Sequence, residues 1–216
     1  SLLGEHLDAM PREARRPAEL LVADVARLRR LVEDLMEISR LDAGAGPVER
    51  EPVDLGGLVA ATVRARGWGD LVALSLRPVA LVTDRRRVER IVSNLLGNAV
   101  EHAGGATARV DREGPWAVVE VRDRGPGIAP EHLPHVFERF YKADPSRARG
   151  GTGLGLAIAL ENARLLGGVI EVASEVGEGS RFTLRLPVAE PLPAGDPVVS
   201  ETLHDGGVDG RGGGGR

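Results

Sequence analysis

Cysteine is absent from this 216-residue chain. Disulfides, thiolate metal sites and a cysteine nucleophile are therefore excluded, and a reducing compartment is compatible. Long hydrophobic runs are missing too: no stretch of 18 apolar residues exists, so no segment reads as a membrane-spanning helix. Charge of one sign is not in excess. The net charge is −4 and no basic stripe follows any predicted helix, so nucleic acid is not an expected partner. Aromatic residues are scarce, with three Phe, two Trp and one Tyr, which makes the close pair Phe137 and Phe140 conspicuous. There is no initiator Met and no signal-peptide pattern. The chain reads as a piece of something longer, whose upstream part can lie in a membrane. What remains is an ordinary apolar content, enough for one full domain plus a smaller element.

Residues 12–42 form the clearest predicted helix. Leu21, Val25, Leu28, Val32 and Leu35 recur in alternating steps of four and three, the seam of a coiled coil or bundle. Leu31 and Ile38 widen the stripe, so the helix is expected to bury more than one side. Residues 1–10 read as the end of a preceding helix, with a turn near Pro11 to Pro17. The seam calls for a hairpin partner and a second copy of the chain, giving a four-helix bundle. Gly44-Ala45-Gly46-Pro47 ends the helix and marks a boundary. Beyond it, the expected elements are a helix over 54–66 capped by Asp54 and strands at 72–76 and 78–82. A helix over 85–102, a hairpin of 108–111 with 116–122, a helix over 156–166 and a hairpin of 169–174 with 181–186 follow. This order predicts an α+β fold: a two-layer α/β sandwich with a mixed sheet and its helices on one face, preceded by a helical-hairpin dimerisation segment. The expected division is 1–46, 47–188 and a disordered tail over 189–216.

Three features carry chemistry. Asn94, Asn98 and His102 form a stripe at helical spacing beside the apolar face Val88, Val92, Leu95 and Ala99. Asn is a poor helix former, and an Asn carbonyl oxygen can complete a Mg²⁺ shell beside phosphate oxygens. A solvated face with two tolerated asparagines would look the same. Asp123 ends the apolar strand face Ala117, Val119 and Val121, and a carboxylate at the rim of a core needs a partner such as an adenine amino group. Gly125 and Gly127 let the backbone approach a flat ring, although a tight Arg-Gly-Pro-Gly turn also explains them. Gly151-Thr152-Gly153-Leu154-Gly155-Leu156 opens a helix, where free amides and the helix dipole favour a polyphosphate. That spacing is neither a dinucleotide fingerprint nor a P-loop. Between the glycine blocks, Arg139 and Lys142 are cations within reach of a γ-phosphate. His132 and His135 read as loop histidines.

Taken in order, these segments resemble the ATP-binding domain of bacterial sensor histidine kinases, within the wider family of gyrase, Hsp90 and MutL ATPases. Asn-Leu-Leu-Gly-Asn-Ala at 94–99 resembles the N box and Asp-Arg-Gly-Pro-Gly-Ile at 123–128 the G1 box. Val-Phe-Glu-Arg-Phe-Tyr at 136–141 resembles the F box and Gly-Thr-Gly-Leu-Gly-Leu at 151–156 the G2 box. Residues 31–42 resemble the end of the kinase's dimerisation hairpin, in an actinobacterial style. The resemblance implies ATP and Mg²⁺ as cofactors, with Asn98 on the metal and Asn94 near the phosphates. It implies His102 beside the purine and Asp123 on the adenine amino group, flanked by Gly125, Gly127 and Ile128. It puts Arg139, Tyr141 and Lys142 in a lid, and the phosphate tail on the amides from Gly153 to Leu156. It further implies a homodimer, a response-regulator partner, a cytoplasmic location for this segment and a parent protein in the bacterial inner membrane.

Two departures qualify the likeness. Glu101 stands where many relatives carry Lys or Arg. The family's acceptor segment, a His followed by Glu/Asp-Leu-Arg/Lys-Thr/Ser-Pro, does not occur. His6 with Pro11 echoes it superficially, but a helix over 12–41 spans about 45 Å and would hold His6 far from the nucleotide. The expected activity is therefore transfer of the ATP γ-phosphoryl group to a His upstream of Ser1, then to a response-regulator Asp. A non-catalytic dimeric nucleotide-binding scaffold and an anti-sigma-type serine kinase are the alternatives.

Overall fold

The computed structural model describes residues 11–44, 46–143 and 151–188. His6, Gly150 and the expected tail over 189–216 lie outside these. Helix α1 (Arg12–Asp42) is followed by strand β1 (Glu51–Asp54), α2 (Leu55–Ala65), β2 (Val72–Leu76) and β3 (Ala80–Thr83). Then come α3 (Arg85–Ala103), β4 (Ala106–Glu113), β5 (Trp116–Arg122), a short 3₁₀ turn (Leu133–His135), α4 (Gly155–Leu165), β6 (Val169–Glu175) and β7 (Gly179–Pro187). The main sheet has five strands in the order β2-β4-β5-β7-β6. Only β2 and β4 run parallel, so the sheet is mixed.

Alternation along the strands decides which face meets the helices. Ala108 and Val110 of β4, Ala117, Val119 and Val121 of β5, and Phe182, Leu184 and Leu186 of β7 are all buried. They pack against Leu58, Val59 and Val63 of α2, Val88, Val92, Leu95 and Ala99 of α3, and Ala159 and Ala163 of α4. The opposite face carries Arg109, Arg122, Arg181 and Glu171, which are exposed. The fold is thus α+β with helices on one face. Caps set the helix starts. Asp54 accepts from the Gly56 amide, and Asp84 accepts from the Arg87 amide.

Three local expectations change. The turn foreseen near Pro11 to Pro17 is helical: α1 begins at Arg12 and runs through Pro17. That proline lies close enough to the start that its missing N–H and ring disturb only the opening turns. Strand β1 had no sequence signal, being four residues with Pro52 inside and one buried side chain, Val53. It pairs antiparallel with β3 as a separate two-stranded sheet, so the strand near 78–82 does not extend the main sheet.

Helix α1 has two unlike faces. Ile38, with Leu31 and Leu41, packs on Leu154 and Ile158 at the start of α4. Leu21, Val25, Leu28, Val32 and Leu35 remain exposed. Among the described residues no helix is long and apolar enough to cross a membrane.

Candidate nucleotide site

Strand β5 delivers Asp123 to the rim of the core, where it is 6% exposed. One carboxylate oxygen, Oδ1, accepts from the Gly125 amide at 2.8 Å and the Ser180 amide at 3.2 Å. The other, Oδ2, has no hydrogen-bond partner among the described residues. A nearly buried acceptor held by two amides and left half unused fits an exocyclic amino group. The turn after it is welded to the β6–β7 hairpin. Gly127 has φ +72°, and a Cβ there would overlap the Glu175 carbonyl oxygen. The Ile128 amide donates to Ser174 Oγ at 2.9 Å, and Ser174 Oγ donates in turn to the Gly179 carbonyl. Ser174 and Ser180 had no sequence signal, because their contribution depends on the pairing of β6 with β7.

The asparagine stripe faces the second glycine block. Asn94 lies 3.7 Å from where a Gly155 side chain would begin, and the Glu101 carboxylate lies 3.3 Å from the same position at Gly151. Among the described residues, Asn94 Nδ2 is buried without a partner, and the side chain of Asn98, between them, makes no protein hydrogen bond. His102 is exposed in the last turn of α3. Ala103 beside it packs against Gly125, which ties this end of the stripe to the first block.

Helix α4 opens without a side-chain cap. The Leu154 amide donates to Thr152 Oγ1 at 3.2 Å. The amides of Gly155, Leu156 and Ala157 have no acceptor among the described residues. Orphan donors at a helix N-terminus and an orphan amide nitrogen on Asn94 suit an anion of several oxygens. Both observations fit a triphosphate tail, and Asn98 beside them offers a neutral oxygen for a hard cation.

The segment between the blocks is anchored unevenly. Phe137 packs edge-on against Phe182 in the core, whereas Phe140 is 60% exposed. Phe140 has φ +65°, unusual for a residue with a side chain, and its amide donates to the Gly153 carbonyl at 2.8 Å. Tyr141 Oη lies 2.7 Å from His132 Nδ1, and the His135 ring stacks obliquely near it. The two histidines therefore steady the one tyrosine. Lys142 is half-buried without an ion-pair partner among the described residues. Arg139, expected near phosphate, instead grips Asp42 at the end of α1 with two bonds of 2.9 and 2.6 Å. Those bonds hold the Asp42 carboxyl below its ordinary range. A second contact ties α1 to the second glycine block and to α3: Asp34 of α1 accepts from Thr152 Oγ1 at 2.9 Å and from Arg90 at 2.6 Å.

Residues 83–190 match the family described as histidine kinase-, DNA gyrase B- and HSP90-like ATPases. The chain is 45% identical to the signal transduction histidine-protein kinase AfsQ2 of Streptomyces coelicolor over 89% of its length, and covers 37% of that protein. It is 41% identical to the sensor histidine kinase MtrB of Mycobacterium tuberculosis over 87% of its length, and covers 35% of that protein. The chain thus spans little more than a third of these relatives. Among solved structures, full-length ShkA in complex with AMPPNP superposes with a TM-score of 0.69 at 30% identity, covering 83% of this chain and 40% of that one. The sequence match, the half-used carboxylate and the orphan donors agree: the chain belongs to the histidine kinase-, DNA gyrase B- and HSP90-like ATPase family, and its relatives within it are sensor histidine kinases.

Proposed function

We propose that this chain is the ATP-binding catalytic portion of a dimeric sensor histidine kinase, divided into a helical segment over 1–46, a catalytic domain over 47–188 and a tail over 189–216. The observation that carries the reading is Asn94, whose buried Nδ2 has no partner among the described residues and which lies beside the uncapped start of α4. It supports a polyphosphate between the two helices. Asp123 Oδ2 accepts a hydrogen bond from the adenine amino group, and Gly125, Gly127 and Ile128 form the wall against the ring. His102 lies beside the purine. The amides of Gly155, Leu156 and Ala157 hold phosphate oxygens, and Asn94 Nδ2 donates to another. Asn98 offers its carbonyl oxygen to Mg²⁺, which would neutralise charge on the β- and γ-phosphates. Lys142 and Tyr141 close over the tail. Catalysis then consists of positioning and charge stabilisation. The bond from the γ-phosphorus to its bridging oxygen breaks, a bond to an imidazole nitrogen forms, and ADP leaves.

The receiving His belongs to a segment upstream of Ser1, and a response-regulator Asp takes the group from it. The parent protein sits in the bacterial inner membrane, with this segment on the cytoplasmic side. The bare stripe from Leu21 to Leu35 supports a homodimer, and the attachment of α1 to the ATP domain speaks against an anti-sigma-type serine kinase. A scaffold that binds nucleotide without transferring it is the remaining alternative. The test uses ATP labelled at the γ-phosphate. Alone, the chain binds ATP and stays unlabelled. Mixed with a longer parent chain whose own site carries Asn98→Ala, it transfers an acid-labile, alkali-stable label to that chain's acceptor. Binding without transfer would favour the scaffold, and self-labelling lost in His6→Ala would overturn the position assigned to the acceptor.

A further inference from the structure

The ATP reading leaves one group unexplained. Glu101 projects from α3 three residues after Asn98 and brings its carboxylate to the second glycine block, with Oε1 3.3 Å from the Gly151 Cβ position and Oε2 3.9 Å from it. The residue is exposed, and its carboxylate has no hydrogen bond or ion pair among the described residues. An unpaired anion beside a cradle of orphan amides opposes a bare polyphosphate, since like charges at close range repel even in water. Its placement becomes favourable if a cation stands between the acid and the phosphates. Residues three apart on a helix share a face, so Asn98 and Glu101 carry a neutral oxygen and an anionic one on the same side of α3.

Resting on the ATP reading, we infer that Glu101 is an anionic ligand of the hydrated magnesium ion held by Asn98, and that the site takes metal-complexed nucleotide in strong preference to free nucleotide. Mg²⁺ is bound by one or two carboxylates plus phosphates and keeps several waters. With Asn98 alone the protein would contribute no charge to that set. Glu101 supplies it. The same carboxylate penalises ATP that arrives without metal, so the residue raises metal dependence from both sides.

A fluorescent ATP analogue titrated against the purified chain, with Mg²⁺ varied from excess chelator to millimolar, reads this directly without any transfer step. Glu101 is exposed, and Glu101→Gln preserves its shape, so the variant should fold. Glu101→Gln is expected to raise the Mg²⁺ concentration for half-maximal binding by about tenfold and to leave binding in chelator unchanged or tighter. Glu101→Lys should bind in chelator more tightly than the parent and respond little to Mg²⁺. An unchanged Mg²⁺ half-point in Glu101→Gln would overturn the inference while leaving the ATP reading intact. A parent chain that binds no nucleotide at any Mg²⁺ concentration would overturn the ATP reading itself.

Discussion

The two glycine blocks are built in opposite ways. The first is held by its own domain: Asp123 takes the Ser180 amide, Gly127 fits against Glu175 and Ile128 bonds to Ser174. All of those partners lie in one hairpin of the main sheet. The second block leans on α1. Thr152 is bonded to Asp34, and Leu154 is buried against Ile38. Its Gly153, at φ +72°, fits against the backbone of Phe140, itself at a positive φ. On the proposed ATP reading, the adenine end of the site is preformed within the sheet, while the phosphate end is shaped by contacts with α1. A sensor that moves α1 would change the phosphate end and spare the adenine end.

Substitutions can break that contrast, and the largest effect belongs to the first block. Asp123→Asn keeps an oxygen for the Gly125 and Ser180 amides but turns the free side into a donor. ATP affinity should fall about 100-fold with no change in melting temperature, because the pocket then meets the adenine amino group with another amino group. Inosine triphosphate, which offers an acceptor at that position, should regain part of the loss. Equal losses for both nucleotides in a binding titration would remove the adenine assignment. Next in size is Asn98→Ala, which should abolish the gain in affinity that Mg²⁺ gives while leaving binding in chelator nearly unchanged. A Mg²⁺ response of normal size would remove the metal assignment.

What could be read from the sequence follows the same division. The elements around the first block were legible because strand alternation in Trp116–Arg122 and helical spacing in Arg85–Ala103 are local signals. The stripe Asn94, Asn98 and His102 followed from spacing alone. The contacts that shape the second block join residues far apart, Asp34 to Thr152 and Asp42 to Arg139. No local pattern marks an acid on a helix flank as a docking residue: Asp34 has the look of a solvated position beside a bundle seam. Arg139 was expected at phosphate because a cation beside a glycine block suits one. Its partner in this structure lies on α1, which only the fold reveals.

Asp34→Ala should act on the second block and on Arg90 of α3, and spare the first block. It removes acceptors for Thr152 and Arg90 in a half-buried setting, where charge-assisted hydrogen bonds contribute about 1–3 kcal/mol. Amide exchange in α1 from Leu31 to Leu41 should speed up, with protection in β5 and β7 unchanged. Loss of protection throughout the sheet would show that α1 supports the whole domain rather than its phosphate end.

The smallest effect is expected at the other α1 contact. Asp42 and Arg139 are 54% and 41% exposed, so solvent and salt screen the pair. Trypsin reads it, because Arg139 is a cleavage site whose grip on Asp42 hinders attack. Asp42→Asn should raise the initial cleavage rate after Arg139 by no more than about threefold, and high salt should produce the same rise in the parent. Acid should mimic the substitution in a defined direction. The bonds from Arg139 lower the folded-state value of Asp42 below its ordinary 3.8, so the contact is at full strength at any pH above the ordinary value. It fades only as pH falls through the lower, folded value. Amide exchange in the α1 segment near Asp42, corrected for the intrinsic effect of pH, should therefore be flat from neutrality to about pH 5 and rise only in stronger acid. A transition near neutral pH would have to come from another group.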